Sequence, residues 1–299
     1  MLKYRSARSD KPGLFANTPL DAIFVAISLG GIGLYVVVAC AFDSIRWPWL
    51  LILGLVSAYL ICFNSECITH CHGHTPIFCT HWLNRTFSVI NTLALGELVT
   101  VNHVFHLNHH RFVNDRIDPA TGRTGDWTSS FRCGKDGQME PFLPYVLAMV
   151  LRYRYMRKEM ADVDTAFEAE VERLGCRTQI RIEQIAHLLF LAALTWVNWR
   201  FLVFYYAPVW LIGSIGGWAF GYGEHYGATP GSPKTDSVSS YNPIYNFLFF
   251  NNGYHQEHHY RPGLHWTEIT SVRSAMLPAD QRAVIRGWHF TNLGLTGRR

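Results

Sequence analysis

Fifteen histidines stand in 299 residues, and nine of them fall at spacings that could hold metal. His70 and His74 are four apart, so on a helix both rings share one face. His106, His109 and His110 form HxxHH, again a single face, and His255, His258 and His259 repeat it. A lone His225 sits in Gly223-Glu224-His225-Tyr226-Gly227. Histidines strewn at random would give one HxxHH on the order of 0.04 times in such a chain, so chance explains two poorly. Neutral imidazole suits iron, zinc, copper and nickel. Nine imidazoles exceed one ion's capacity, and two metals receiving four and five would use them all. No CxxC and no paired ExxH is present, which argues against thiolate sites and carboxylate-bridged di-iron bundles.

His72 lies two positions from His70 and His74 and points away from their face, a place behind the ligands or at the surface. His103 is one turn before His106 and could be a tenth ligand. Glu224 and Glu257, with Glu66, Glu97 and Asp126, are the carboxylates that could hold imidazole N–H groups, as metal-bound histidine normally requires. His81, His187, His265 and His289 read as ordinary residues, so changes at His81 or His289 are expected to be mild.

The elements that carry these boxes are apolar. The chain is 49% hydrophobic, 14% aromatic and 16% charged, against roughly 25% charge in a soluble domain. So many aromatic residues exclude disorder, and 26 basic against 22 acidic residues give no nucleic-acid footprint. Seven cysteines, an odd number, encode no disulfide framework and read as reduced thiols. Residues 19–42 are long enough to span a hydrocarbon core of about 30 Å, too long for a cleaved signal sequence. Residues 49–64 return, and the apolar block of 185–222 is long enough for two more spans, 185–198 and 201–222, turning at Asn198-Trp199-Arg200, with Pro208 as the alternative start of the last helix. The expectation is an all-α membrane protein, one domain over 1–299, with two transmembrane hairpins and a helical cap holding a di-metal site.

Lys3, Arg5, Arg8 and Lys11 crowd the N-terminus, whereas the two hairpin turns offer only Arg46 and Arg200. Positive residues stay inside, which makes the termini and the box regions 65–184 and 223–299 cytosolic. Phe87–Val101 and Pro141–Leu151 read as interfacial, re-entrant or buried helices. Apolar residues recurring from Met156 to Leu174 predict an amphipathic helix ended by Gly175. Thr229–Ser240 reads as a flexible loop. Gly213, Gly216, Gly217 and Gly221 line the last span, either for close helix packing or as room for an acyl chain.

His70-x-x-Gly73-His74 followed by two HxxHH boxes, threaded through two hairpins, resembles the membrane fatty acid desaturase and hydroxylase superfamily over most of the chain. Glu224-His225-Tyr226-Gly227 and Asp118-Pro119-Ala120 also resemble membrane alkane monooxygenases, which usually space their second box HxxxHH; this chain has the desaturase spacing. The resemblance implies two iron ions, O2 as co-substrate and attack on an unactivated C–H bond of a fatty acyl or other lipid chain, desaturation first by spacing. Alkyl hydroxylation, terminal-alkene formation and carotenoid ketolation or hydroxylation are the neighbouring reactions, and a non-catalytic metal carrier is the reading of a different class. With no rubredoxin cysteines, HPGG or GxGxxG, no bound flavin, haem or nicotinamide is expected. Electrons must then come from a separate ferredoxin, rubredoxin or cytochrome with its reductase, drawn to Arg111, Arg116, Arg123, Lys135 and Arg261. The expected location is a bacterial cytoplasmic membrane.

Overall fold

The computed structural model describes residues 13–151 and 162–295, which fall into two compact units, one within 1–103 and 171–217, the other within 104–170 and 218–299. Lys3, Arg5, Arg8 and Lys11, and the start of the helix expected from Met156, lie outside the described residues. The structure is mostly helical: α1 Ala22–Ala41, α2 Trp47–Phe63, a π-helical turn Asn64–Thr69 leading into α3 His70–His74, α4 His81–Leu95, α5 Val99–Phe112, α6 Phe142–Val150, α7 Val163–Leu174, α8 Arg177–Phe201, a second π turn Leu202–Tyr206, α9 Ala207–His225, α10 Pro243–Leu248 and α11 His255–Tyr260. Strands β1 Ser239–Ser240 and β2 Val284–Ile285 make a short parallel pair.

Three helical stretches in the described residues are long and apolar enough to cross a bilayer: Pro19–Ser44, Trp47–His74 and Arg177–His225. The second runs on through the π turn to His74, past the expected end at residue 64, so the first histidine pair rides on the end of a span. The third is 49 residues long and is broken at Asn198, which is non-helical (φ −161°, ψ 101°). Asn198 Oδ1 accepts from the backbone N–H of Arg200 (3.0 Å) and Phe201 (3.2 Å), capping the helix that follows.

Within the first unit, this break meets the turn between α1 and α2. Asp43 accepts from Asn198 Nδ2 at 2.9 Å and from Arg200 Nη1 at 2.7 Å. Beyond the break the chain climbs beside α2 in the same direction: Tyr205 bonds Ser57 (3.0 Å), a Cβ on Gly213 would lie 2.6 Å from Ile61, and one on Gly216 3.2 Å from Cys62 Sγ. Close helix packing therefore explains Gly213 and Gly216, while Gly221 faces open space. Tyr35, Phe42, Ile61, Leu95, Leu194, Phe201 and Tyr206 fill the core between these helices.

The apolar segment expected over Phe87–Val101 is two helices. α4 starts at His81 and ends at Gly96, whose φ of 77° favours glycine. A Cβ there would also lie 2.6 Å from Trp210 Cδ1. Glu183 then starts α5, accepting from Thr100 N at 2.9 Å and Thr100 Oγ1 at 2.6 Å.

In the second unit, Phe105 at the root of box two packs on Trp127 and on Phe167 of α7. The flexible loop expected over Thr229–Ser240 is instead buried in its second half, residues 236–240. Val238 N–H donates to Glu224 O at 2.7 Å, Ser240 N–H to Gly253 O at 2.8 Å, and β1 pairs with β2. Serine-rich sequence reads as loop because its side chains are polar, but here backbone pairing satisfies the chain.

Candidate metal centre

Each histidine box occupies one helix face. In the first unit His70 and His74 follow one another along α3, their rings tilted and their centroids 5.5 Å apart. In the second unit the other seven rings converge from α5, the end of α9 and α11. His110 Nε2 is 3.0 Å from both His106 Nε2 and His258 Nε2. His225 Nε2 is 3.1 Å from His109 Nε2 and 3.3 Å from His255 Nε2, and His259 Nε2 is 3.0 Å from His255 Nε2. Within 4.8 Å of one another, the ring nitrogens form one group from His106, His110 and His258 and another from His109, His225 and His259.

What stands behind the rings fixes their tautomers. His109 Nδ1 lies 2.7 Å from Asp126 Oδ2, and His225 Nδ1 lies 2.9 Å from the Asp236 carbonyl. A carbonyl or ionised carboxylate only accepts, so both rings carry their proton on Nδ1 and turn a lone pair outward at Nε2. Those two lone pairs face each other at 3.1 Å, which is repulsive unless a cation or an added proton lies between them. Two nitrogens bound at about 2.1 Å to one first-row cation, at a right angle, are separated by about 3.0 Å. The donor set therefore fits a metal ion.

Burial supports the same protonation. His255 and His259 are 2% and 6% exposed. Burial, and after it the neighbouring imidazoles, holds both well below the usual histidine range. They are neutral at physiological pH, the form that ligates.

Asp126 is itself held on all sides. Its Oδ2 also accepts from Asn114 N–H (2.8 Å), and its Oδ1 from Thr128 N–H and Oγ1 (both 2.8 Å). Burial would raise this carboxyl, but His109 and these donors outweigh it and keep it below the ordinary carboxylate range. Asp115, which no spacing singled out, fixes the loop by accepting from Gly125 N–H (2.7 Å) and Asp126 N–H (3.0 Å). A Cβ on Gly125 would lie 2.3 Å from Phe112, so the loop closes on α5 only with glycine there.

Glu224 holds a place beside His255: its Oε1 is 3.4 Å from His255 Nδ1 and accepts from Asn252 Nδ2 at 3.0 Å. Glu257 does not share that role. It is fully buried and accepts from Ser239 Oγ (2.8 Å) and Tyr241 OH (2.6 Å), with Arg282 Nη1 3.8 Å away. Two residues from His255 on a helix is about 200° of rotation, so Glu257 faces the strand behind α11. Arg282 also donates to Gln256 Oε1 (2.7 Å) and Leu277 O (2.7 Å) and to the Tyr241 hydroxyl. It thus grips both non-ligand residues between the box-three histidines, a contact invisible in sequence.

His72 is 1% exposed, with Nε2 3.0 Å from Ser88 Oγ and its ring edge-on to Phe87; it is a packed core ring. His103 is buried on α5, and burial lowers it to about 4. Glu97 accepts from Ser214 Oγ at 3.0 Å. His289, expected to be ordinary, is fully buried, with Nδ1 2.8 Å from Tyr245 OH and Nε2 donating to Val238 O at 3.0 Å. Of the basic residues near the boxes, Arg111 and Arg123 lie 3.9 and 3.6 Å from Glu170 and Asp162, and Arg116 donates to Gly137 O at 3.1 Å.

Apolar helices long enough to cross a bilayer, carrying helical faces of imidazoles backed by acceptors, define an integral membrane protein with histidine clusters that could hold metal. The sequence pattern of the fatty acid desaturase family matches residues 46–291, and the chain belongs to that family. It is also 36% identical over 88 residues to a sphingolipid delta(4)-desaturase of Schizosaccharomyces pombe. That match covers 26% of this chain and 24% of the yeast protein.

Proposed function

We propose that this chain is an O2-dependent, non-haem di-iron enzyme that desaturates a fatty acyl or other lipid chain. The observation that carries the reading is the facing of the His109 and His225 lone pairs, 3.1 Å apart, in a cluster of seven converging rings. His70 and His74 complete the ligand set on their spacing in the sequence, giving nine histidines for two irons. Bound there, the iron pair would supply the reduction of O2 and the oxidant that removes hydrogen from carbon. The chain's own residues prepare this chemistry. Asp126 and the Asp236 carbonyl fix which nitrogen of His109 and His225 is free to bind. Burial of His225, His255 and His259 keeps bulk water from the rings, as an enzyme that forms a strong oxidant requires.

In this reading Asn198 divides the third apolar stretch into two passes, making four in all, arranged as two hairpins of one functional domain. The histidine-bearing segments face the cytosol. Reductant comes from a separate ferredoxin, rubredoxin or cytochrome docked on that side, and the substrate enters from the lipid. The yeast relative, a desaturase of sphingolipids, supports a membrane lipid as the substrate class.

The test supplies iron-loaded protein in vesicles with a reducing system, isotopically labelled O2 and a mixed lipid extract, and reads products by mass spectrometry. Desaturation predicts a product lighter by two hydrogens and free of the label. Label in the lipid product would identify a hydroxylase instead, and no product under any reductant would favour a metal carrier.

A further inference from the structure

From Ser237 to Gln256 the chain carries no charged residue, although it belongs to a region that the sequence reads as cytosolic. At its centre α10 turns its apolar residues outward. Ile244, Phe247 and Leu248, spaced i, i+3, i+4, are 64%, 84% and 40% exposed, and Phe290, whose ring packs on Phe220 as Tyr245 of α10 does, is 42% exposed. Such a stripe normally faces a core. Here the opposite side of the helix is the packed one: Tyr245 is fully buried and its ring lies 5.7 Å from Phe220, which also contacts Phe249 at 5.3 Å and Phe290 at 6.3 Å.

Phe220 sets the depth of this patch. It lies on the last apolar stretch, twenty residues beyond Arg200. A helix rises about 1.5 Å per residue, so those residues cover about 30 Å, the thickness of the hydrocarbon core. A group packed on Phe220 therefore sits at the boundary between acyl chains and headgroups. This rests on the four-pass reading above.

We propose that α10 is an interfacial anchor, with Ile244, Phe247, Leu248 and Phe290 inserted into the headgroup–acyl boundary of the leaflet on the histidine side. Three features favour lipid over a protein partner. The stripe is continuous with the end of a span, it has no charge to pair with a soluble protein, and aromatic rings are the side chains that bilayer interfaces favour. Because α10 leads through Phe249 to Tyr254 into α11, anchoring it also fixes the level of box three against the membrane.

The experiment places the photoreactive residue benzoylphenylalanine at position 247 (Phe247→benzoylphenylalanine) in the full chain, reconstituted in vesicles of phosphatidylcholine and phosphatidylglycerol. Trp196, 92% exposed on the same apolar stretch before Asn198, takes the same substitution in a second sample. The expected result is a phospholipid adduct from both positions. Adduct at 196 but none at 247 would overturn the anchor and leave the span intact. A 247 adduct to a second copy of the chain would overturn it in favour of self-association. Failure at 196 with lipid adduct at 247 would support the anchor while refuting the pass from which its depth was reckoned. As both side chains are exposed, neither variant should perturb folding.

Discussion

Changing Asp126 to Asn tests how the cluster is organised, because the substitution keeps shape and removes only charge and one acceptor. An amide oxygen at the Oδ1 position can still accept from Thr128 N–H and Oγ1. The amide nitrogen then faces His109 Nδ1 and Asn114 N–H, where two donors now confront it. Asn114 N–H, in a buried loop, loses its acceptor at a cost of about 1–3 kcal/mol. His109 can accept from the amide only by moving its proton to Nε2, which removes that nitrogen as a ligand. Loss of a carboxylate behind a metal-bound histidine typically lowers metal affinity about 10–100-fold, or about 1.4–2.8 kcal/mol. Iron content would be followed during titration with a chelator, with circular dichroism as the check on folding. One of the two irons in Asp126→Asn should be lost at a chelator concentration about 10–100-fold lower than in the unchanged protein, the other being little affected. A folded variant that keeps both irons with unchanged affinity would refute the role given to Asp126.

His289→Ala should destabilise the protein by about 3 kcal/mol, since it leaves a cavity and strands the Tyr245 hydroxyl and Val238 carbonyl; unfolding followed by tryptophan fluorescence in mild detergent measures it, and a change under about 0.5 kcal/mol would contradict the packing. Arg282→Met leaves the buried Glu257 carboxylate without its cation and should cost about 3–5 kcal/mol by the same assay. Adding Glu257→Gln to Arg282→Met should recover much of that loss, and a double variant no more stable than the single one would show that the Gln256 and Leu277 contacts dominate.

The chemistry-bearing residues were legible in the sequence because helical spacing needs no partner to be recognised. Two HxxHH runs place three rings on one face wherever the helix lies, and the polar run at Asn198 marks a break wherever the span sits. What stands behind each ring was legible only where it was close by. Asp126 was among several carboxylates of equal standing, and nothing distinguished it until the loop closed by Gly125 and Asp115 brought it to His109. The acceptor for His225 is a backbone carbonyl, at Asp236, which no residue type encodes. Glu257 is another of those carboxylates, yet the helical rotation that turns His72 away from His70 and His74 turns Glu257 away from His255 and onto Ser239 and Tyr241. The π turn before His70 and the burial of residues 236–240 arise from packing and backbone pairing that side-chain polarity does not report.

The central claim is that the histidines hold two irons, and metal analysis of the purified, iron-reconstituted protein tests it most directly. Two irons per folded chain are predicted, falling to one or fewer when His109 and His225 are both replaced by alanine. One iron in the unchanged protein, or an unaltered count in that double variant, would contradict it.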